Sequence, residues 1–329
     1  MDIGAPLVEI WRGDLLESQH SGHIVICGPD GQVQEAWGNP DLTVFPRSSC
    51  KMIQALPLLT SGAADAHDLT AEHLALSCAS HQGAAIHREH VTAWLSDLGL
   101  GESALRCGPQ APADIEERDR LITASESPCQ IHNNCSGKHT GFLTLGKHLG
   151  AGPEYLELSH PVQVAAREAF EETTGEDSPT WAIDGCSAPN FATSLTGLAR
   201  AMAAFATAHE RADAASKAMV RLRDAMMLHP DLVAGETRAC TELMRAAPGV
   251  ALKTGAEGVF TAIVPEKGLG IALKISDGTT RAAEAAITAL LQRLDLLDPK
   301  HPAAQNRLGP ITNWRGFVTG HTTATTALS

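Results

Sequence analysis

The stretch Gly249 to Ser276, "GVALKTGAEGVFTAIVPEKGLGIALKIS", decides the fold. It breaks into three short apolar runs, "GVALKTG", "GVFTAIV" and "LGIALKIS", the last two joined by the turn "PEKG". Runs of this length, rich in β-branched residues and bounded by Gly and Pro, read as strands. The following "TRAAEAAITALLQRL" has the apolar spacing of a helix. The same grammar opens the chain, where "LVEIW" and "HIVICG" lead through Pro29, Asp30 and Gly31 into "QVQEAWG", a hairpin. The sheet is therefore expected to be built from both ends of the chain.

Between about Leu69 and Ala247 the sequence is rich in Ala, Leu and Glu. Helical periodicity runs through "AIHREHVTAWLSDLG", "HPVQVAAREAFEETTG", "NFATSLTGLARAMAAFATAH" and "ADAASKAMVRLRDAMMLH". The expected fold class is α/β (α+β), an antiparallel sheet flanked by helices with an inserted all-α region. Residues 1–329 then form one domain of two lobes, with 1–60 and 248–316 in the α/β lobe and 61–247 in the mainly helical one. A cleft between such lobes is the expected place for a site. The final segment 320–329 has little to pack and is expected to be disordered.

Composition narrows the function. The 329 residues are 43% hydrophobic and carry a net charge of −13 with no basic run, which excludes a nucleic-acid partner. No stretch approaches the roughly 20 apolar residues of a spanning helix, and the first residues lack the basic and apolar regions of a signal peptide. A soluble, cytoplasmic protein without a membrane partner is expected. The eight cysteines are scattered without disulfide spacing, so most are expected to be buried thiols.

In "FPRSSCKMIQALPLL", Phe45 to Leu59, a proline leads into an apolar helical run and Ser48 precedes Lys51 by three residues. Residues i and i+3 share a helix face, so Lys51 can point back at the Ser48 hydroxyl. A serine needs a base to attack an acyl carbon, and a lysine serves only where burial or a nearby cation such as Arg47 lowers its pKa from about 10.4. The same four residues also describe a helix cap with an exposed lysine. The second motif, "LKTG", places Lys253, Thr254 and Gly255 at a strand end, where a K-T-G supplies a second cation and backbone donors in S-x-x-K acyl enzymes.

"LALSCASHQG" adds Ser77, Ser80 and His81, either as a polar helix end or with Ser80 in the site. Two further Gly-bearing polar loops hold Cys135, Lys138 and His139 ("IHNNCSGKHTG") and Asp184 and Cys186 ("WAIDGCSAPN"). Thiolate and carboxylate are zinc ligand types, and a neutral lysine amine is an unusual one. Two buried free thiols are the alternative, since there is no C-x-x-C and no H-x-x-x-H pair on a convincing helix.

Taken together, "FPRSSCKMIQALPLL", "LSCASHQG", "CQIHNNCSGKHTGFL", "IDGCSAPNF", "LKTGAEGVF" and the late "PITNWRG" resemble the L-asparaginase II family of Rhizobium-type, thermolabile enzymes from about Leu7 to Gly316. The resemblance implies a serine β-lactamase and glutaminase-like fold and hydrolysis of L-asparagine to L-aspartate and ammonia. It implies that Ser48 and Lys51 are the serine–lysine pair, with Ser80 and Lys253 a second serine and lysine. It puts Arg47, Asn134 and His139 beside the substrate, with the Thr254–Gly255–Ala256 backbone. It further implies a zinc ion near Cys135, Lys138 and Cys186, with Asp184 close or coordinating, that aids substrate placement, and a homodimer.

On this reading neutral Lys51 takes the proton of Ser48, which attacks the side-chain amide carbon. Ser80 bridges protons between the two lysines, and backbone N–H groups at Ser48 and Ala256 hold the oxyanion. The rivals are a glutaminase or another serine–lysine amidohydrolase on the same fold, a non-catalytic amino-acid sensor, and a hydrolase using metal-bound water.

Overall fold

A computed structural model describes residues 2–328. The first strands in chain order are β1 (Ala5–Arg12), β2 (Leu15–Cys27), β3 (Val33–Trp37), β4 (Thr43–Val44), β5 (Trp181–Ile183) and β6 (Pro189–Phe191). They are followed by β7 (Thr193–Ser194), β8 (Ala251–Thr254), β9 (Val259–Val264), β10 (Leu269–Ile275), β11 (Pro310–Thr312) and β12 (Val318–Ala324). The chain divides into two compact units, one of Met1–Ser49, Thr193–Thr207 and Glu242–Ser329, the other of Cys50–Ala192 and Ala208–Thr241.

The first unit is built on an antiparallel sheet in the order β11-β12-β1-β2-β10-β9-β8, with β3 also paired to β2. Both chain ends supply it, as the strand grammar predicts. β9 is buried at every position, which is why it reads as an unbroken apolar run and not as an alternation. The turn Pro265–Lys267 ends at Gly268 with φ 63°, a conformation glycine adopts without a Cβ penalty, and this reverses the chain into β10.

Helix Leu195–Ala206 packs on β10, and Gly270 shows how closely. A Cβ there would lie 2.0 Å from the Ala203 nitrogen and 2.2 Å from the Ala199 carbonyl oxygen. This corrects the placement of the stretch around 190–209 as one helix within the helical lobe. Its first residues are strands, and its helix belongs with the sheet because bare backbone at Gly270 admits it. Residues 50–60 differ in the opposite direction, falling in the helical unit and not in the α/β lobe.

Of the segment 320–329, expected to be disordered, residues 320–328 are ordered, and Ser329 lies outside the described residues. β12 pairs with β1 in the register Val8 to Ala324, Thr325 Oγ1 donates to the Pro6 carbonyl at 2.8 Å, and Leu328 is fully buried. The threonines of "HTTATT" are β-formers, and β1 would otherwise present an unpaired edge.

The second unit carries helices Ala71–Ser77, Ala85–Asp97, Ser136–His148, Pro161–Thr174 and Ala214–Leu228. Ser136–His148 is buried from Ser136 to Gly146 and packs on Ala71–Ser77. Of the segment read as a loop, residues 133–135 do form a turn, while Lys138 and His139 lie on the helix. A Cβ at Gly137 would lie 2.5 Å from the Leu76 carbonyl oxygen, so this glycine serves a close helix crossing. The loop reading does hold for the segment around Cys186, which joins the two strands of the β5–β6 hairpin. No helix among the described residues is long and apolar enough to cross a membrane.

Candidate active site

In the sheet unit the decisive element is the turn Pro46–Ser49. Arg47 has φ 54°, a left-handed conformation that costs a non-glycine residue on the order of 1 kcal/mol or more and tends to mark functional positions. The turn is closed by Ser49, whose N–H and hydroxyl both donate to the Pro46 carbonyl, at 3.1 and 2.7 Å. It opens a 3-10 turn, Arg47–Cys50, that runs directly into helix Lys51–Gln54, so the proline-led entry predicted before Ser48 is present with tighter winding.

The K-T-G segment lies beneath that turn. Lys253 and Thr254 end β8, and a Cβ on Gly255 would sit 2.6 Å from the Pro46 carbonyl oxygen and 3.3 Å from the Ser49 nitrogen. Only glycine permits that approach. Lys253 is fully buried, and its Nζ donates to the Thr254 carbonyl at 3.1 Å. Ala256 is exposed just beyond it. A cavity of about 410 Å³ opens beside Arg47, lined also by Phe45, Glu257 and Lys274.

In the helical unit Lys51 is 1% exposed, and its ammonium reaches three acceptors. These are the Ala79 carbonyl, the Ser80 hydroxyl at 2.9 Å and the Cys135 sulfur at 3.1 Å. Lys51 is therefore not the exposed lysine of a helix cap. Ser80 is held by its N–H to the Val233 carbonyl at 2.9 Å, one residue ahead of His81, whose N–H donates to the Asn134 carbonyl at 3.1 Å. Ser77 behaves differently. It ends its helix with its hydroxyl on the Leu74 carbonyl at 2.7 Å, a structural role, and His81 Nε2 pairs with Ser136 Oγ at 3.0 Å.

Around Lys51 the thiols form one buried cluster. Cys135 donates to Asn134 Oδ1 at 2.9 Å, and Lys138 Nζ lies 3.1 Å from the Cys186 sulfur. The hydrogen bond from Cys135, with the Lys138 cation, holds Cys186 well below the usual thiol range, while the same bond and burial push Cys135 well above it. Burial, the largest single effect, works against the Lys138 ammonium, but Cys186, Cys135 and Asp184 together outweigh it and Lys138 is raised. Burial chiefly, with the charge of Asp184, pushes the neighbouring Cys50 up to about 12 against the lowering effect of Lys138 and Lys51. Of the two thiols, Cys186 is the one held low and Cys135 the one held high.

His139 is fully buried and lowered by desolvation, which keeps its imidazole neutral near pH 7. Its Nδ1 pairs with the hydroxyl of Tyr155 at 2.9 Å, while its Nε2, buried beside Cys186, has no hydrogen bond of good geometry among the described residues. Asp184 is half-buried in the hairpin turn that ends at Ser187 with φ 69°, and its Oδ1 accepts from the Gly185 N–H at 2.7 Å.

Thiols and an imidazole nitrogen are donor types that zinc takes, whereas Lys138, raised and so cationic, would have to lose its proton to join them. Among the described residues no three His, Cys, Asp or Glu side chains form a metal-holding group, so the fit depends on Lys138 as a ligand.

The structure thus brings Lys51, Ser80, Asn134 and Cys135 together in the helical unit, with Lys138, His139 and Cys186 grouped there as well. Arg47, Ser48, Lys253, Thr254, Gly255 and Ala256 belong to the sheet unit. Two residues escape the sequence reading. Tyr155, which orients His139, had only its rarity as a signal, being the one tyrosine of the chain. The other is Thr261, a hydroxyl within the apolar run "VFTAIV".

Comparison with known proteins gives one full-length match: a model of the L-asparaginase II family covers residues 8–324. No curated protein matches. Among solved structures, the chain is similar to Mglu in its native form at 16% identity, covering 88% of this chain and 68% of that one, with a TM-score of 0.47. For Mglu in its tris and glutamate form the values are 16%, 90%, 64% and 0.47. For Bacillus glutaminase in 4.3 M NaCl they are 14%, 84%, 91% and 0.45.

Proposed function

Since the chain belongs to the L-asparaginase II family and is therefore a hydrolase acting on amides, we propose that its substrate is L-asparagine, cleaved to L-aspartate and ammonia through a serine–lysine acyl-enzyme. The observation that carries this reading is the buried Lys51 amine 2.9 Å from the Ser80 hydroxyl, one residue past the short 3-10 turn that bears Ser48. An amine with three hydrogen-bond partners in a dry pocket is positioned to exchange a proton, which an exposed lysine is not.

In the deprotonated state Lys51 accepts the proton of Ser48, whose Oγ attacks the amide carbon. The C–N bond then breaks, and the nitrogen takes that proton and leaves as ammonia. Water, deprotonated by the same lysine, opens the aspartyl ester and restores Ser48. Ser80 relays protons between Lys51 and Lys253. Backbone N–H groups at Ser48 and Ala256 hold the oxyanion, each donor of this kind being worth about 3–4 kcal/mol of barrier. Arg47, Asn134 and His139, with the Thr254–Gly255 backbone, bind the substrate, and the protein works as a cytoplasmic homodimer.

Cys135, Lys138 and Cys186, with Asp184 close, would hold a zinc ion. Bound there, it supplies a positive charge that helps place the substrate. The lowered Cys186 thiol favours this reading, because a metal requires a deprotonated sulfur.

The test is ammonia release from L-asparagine and L-glutamine by the protein and by Ser48→Ala. Turnover of asparagine that disappears in the variant supports the reading. Preference for glutamine moves the substrate to the glutaminase alternative, since one methylene is worth only about 1–3 kcal/mol in a pocket. Full activity in Ser48→Ala removes Ser48 as nucleophile, and tight amino-acid binding without turnover makes the protein a sensor.

A further inference from the structure

We infer that Thr261 is a positioning residue for the reaction, a single buried hydroxyl that ties the turn bearing Ser48 to the strand bearing Lys253. The inference rests on the roles proposed above for those two residues.

Thr261 sits in the middle of β9, between Phe260 and Ala262, on a strand buried at every position. Every other residue of "VFTAIV" is apolar, and valine has nearly the shape of threonine, so packing alone calls for valine here. A fully buried hydroxyl in such a place needs a partner and gains at most a modest net stability from it. Thr261 has two. Its Oγ1 lies 3.0 Å from the Ser49 carbonyl oxygen and 3.3 Å from the Lys253 carbonyl oxygen. With one proton to give, it makes a three-centre bond to two acceptors that follow Ser48 directly and belong to Lys253 itself.

The backbone of Thr261 is already committed. Thr261 pairs with Lys253 on β8 and with Ala272 on β10, so the hydroxyl is not needed to hold the sheet. What it adds is an anchor for the Pro46–Ser49 turn, which also meets the bare Cα of Gly255 through the Pro46 carbonyl. Gly255 sets how near the turn can come, but a steric stop does not hold it there. The Thr261 hydroxyl supplies an attraction at that point, a hydrogen bond to the peptide following Ser48 in a turn strained at Arg47. Ser49 is fully buried and its own hydroxyl is spent on Pro46, so it offers no substitute.

The experiment compares Thr261→Val, which removes the hydroxyl at constant shape, with Thr261→Ser, which keeps it. Two readouts are taken alongside Ser48→Ala: ammonia release from L-asparagine, and the rate at which a fluorophosphonate probe labels Ser48, located by mass spectrometry. Thr261→Val is expected to lower kcat and the labelling rate by roughly tenfold, with KM within about twofold and the unfolding midpoint nearly unchanged. Thr261→Ser should restore both rates.

Wild-type rates in Thr261→Val, or a loss in it that Thr261→Ser does not restore, overturn the inference. So does a loss that tracks only a lower unfolding midpoint. If Ser48→Ala is inactive while Thr261→Val behaves as wild type, the serine–lysine reading stands and the positioning role falls. If Ser48→Ala is active and Ser48 is never labelled, both fall together.

Discussion

The Lys51 amine lies 2.9 Å from the Ser80 hydroxyl, and both side chains are almost wholly buried. A charged or reactive amine in such a place is costly to keep, so the pair is the natural point at which to probe the proposed chemistry. Lys51→Met should lower ammonia release by about 10²–10⁴-fold, the usual worth of a general base. The fold should survive, because methionine fills similar volume without a buried charge. Ser80→Ala should retain more activity than Lys51→Met. Turnover in Lys51→Met close to wild type, measured by ammonia release on protein shown to be folded, would remove Lys51 as the base.

Cys186 and Lys138 lie 3.1 Å apart, and the pair is either complete in itself or, with Lys138 deprotonated, part of a metal site. The zinc proposal predicts about one zinc per chain by elemental analysis of the purified protein, lost in Cys186→Ser. Chelation should raise KM for asparagine more than it lowers kcat, as befits a metal that places the substrate. Protein purified in zinc-containing buffer that carries none and binds asparagine normally would leave the pair itself as the whole account.

Glu117 is 3% exposed and sits 2.8 Å from Arg120 and 3.2 Å from His132 Nε2. The hydrogen bond from Arg120 lowers its pKa against the opposing effect of burial, with His132 and Arg88 adding to the lowering. The sign follows from linkage: a depressed carboxylate stabilises the fold above its unfolded pKa of about 4.3, and that stability is lost as pH falls through the lower folded value. Glu117→Gln should therefore unfold at a lower temperature than wild type at pH 7, with the gap closing below about pH 4. A gap unchanged in thermal melts down to pH 3 would show that the charge contributes nothing.

Ending the chain at Gly316 removes β12, which leaves β1 paired only with β2 on one side. It also removes the fully buried Leu328, worth about 1.5–3 kcal/mol by itself, and the Ala327 carbonyl that accepts from Trp37 Nε1 at 2.6 Å. The truncated protein should melt several degrees lower or fail to accumulate in soluble form. An unchanged unfolding midpoint by calorimetry would mean that the strand is dispensable.

Much of the fold was legible in the chain because it is locally encoded. β9, the Pro265–Lys267 turn and β10 follow from a run of β-formers broken by Pro and Gly, and helices Ala85–Asp97 and Thr280–Arg293 from apolar spacing. The motif pair was legible for the same reason: Ser48 and Lys51 are neighbours in sequence, and Lys253, Thr254 and Gly255 end a strand that announces itself. The errors fall where local signals conflict. Gly137 reads as a loop glycine but serves a helix crossing, and the polar C-terminal threonines lack an apolar face until β1 pairs with them.

By itself, then, the sequence determined the element types, the order in which both chain ends enter one sheet, and the residue types available for chemistry. Only the tertiary structure decided that Lys51 meets Ser80 and Cys135, which lie 29 and 84 positions further along the chain, that Lys138 meets Cys186, and that Thr261 reaches Ser49 across 212 positions. The physical reason is the range of the forces involved. Backbone propensity and side-chain periodicity act over a few residues and are written in consecutive letters. Hydrogen-bond partners and desolvation depend on which distant segments share a dry interior, and that is settled only when the whole chain has packed.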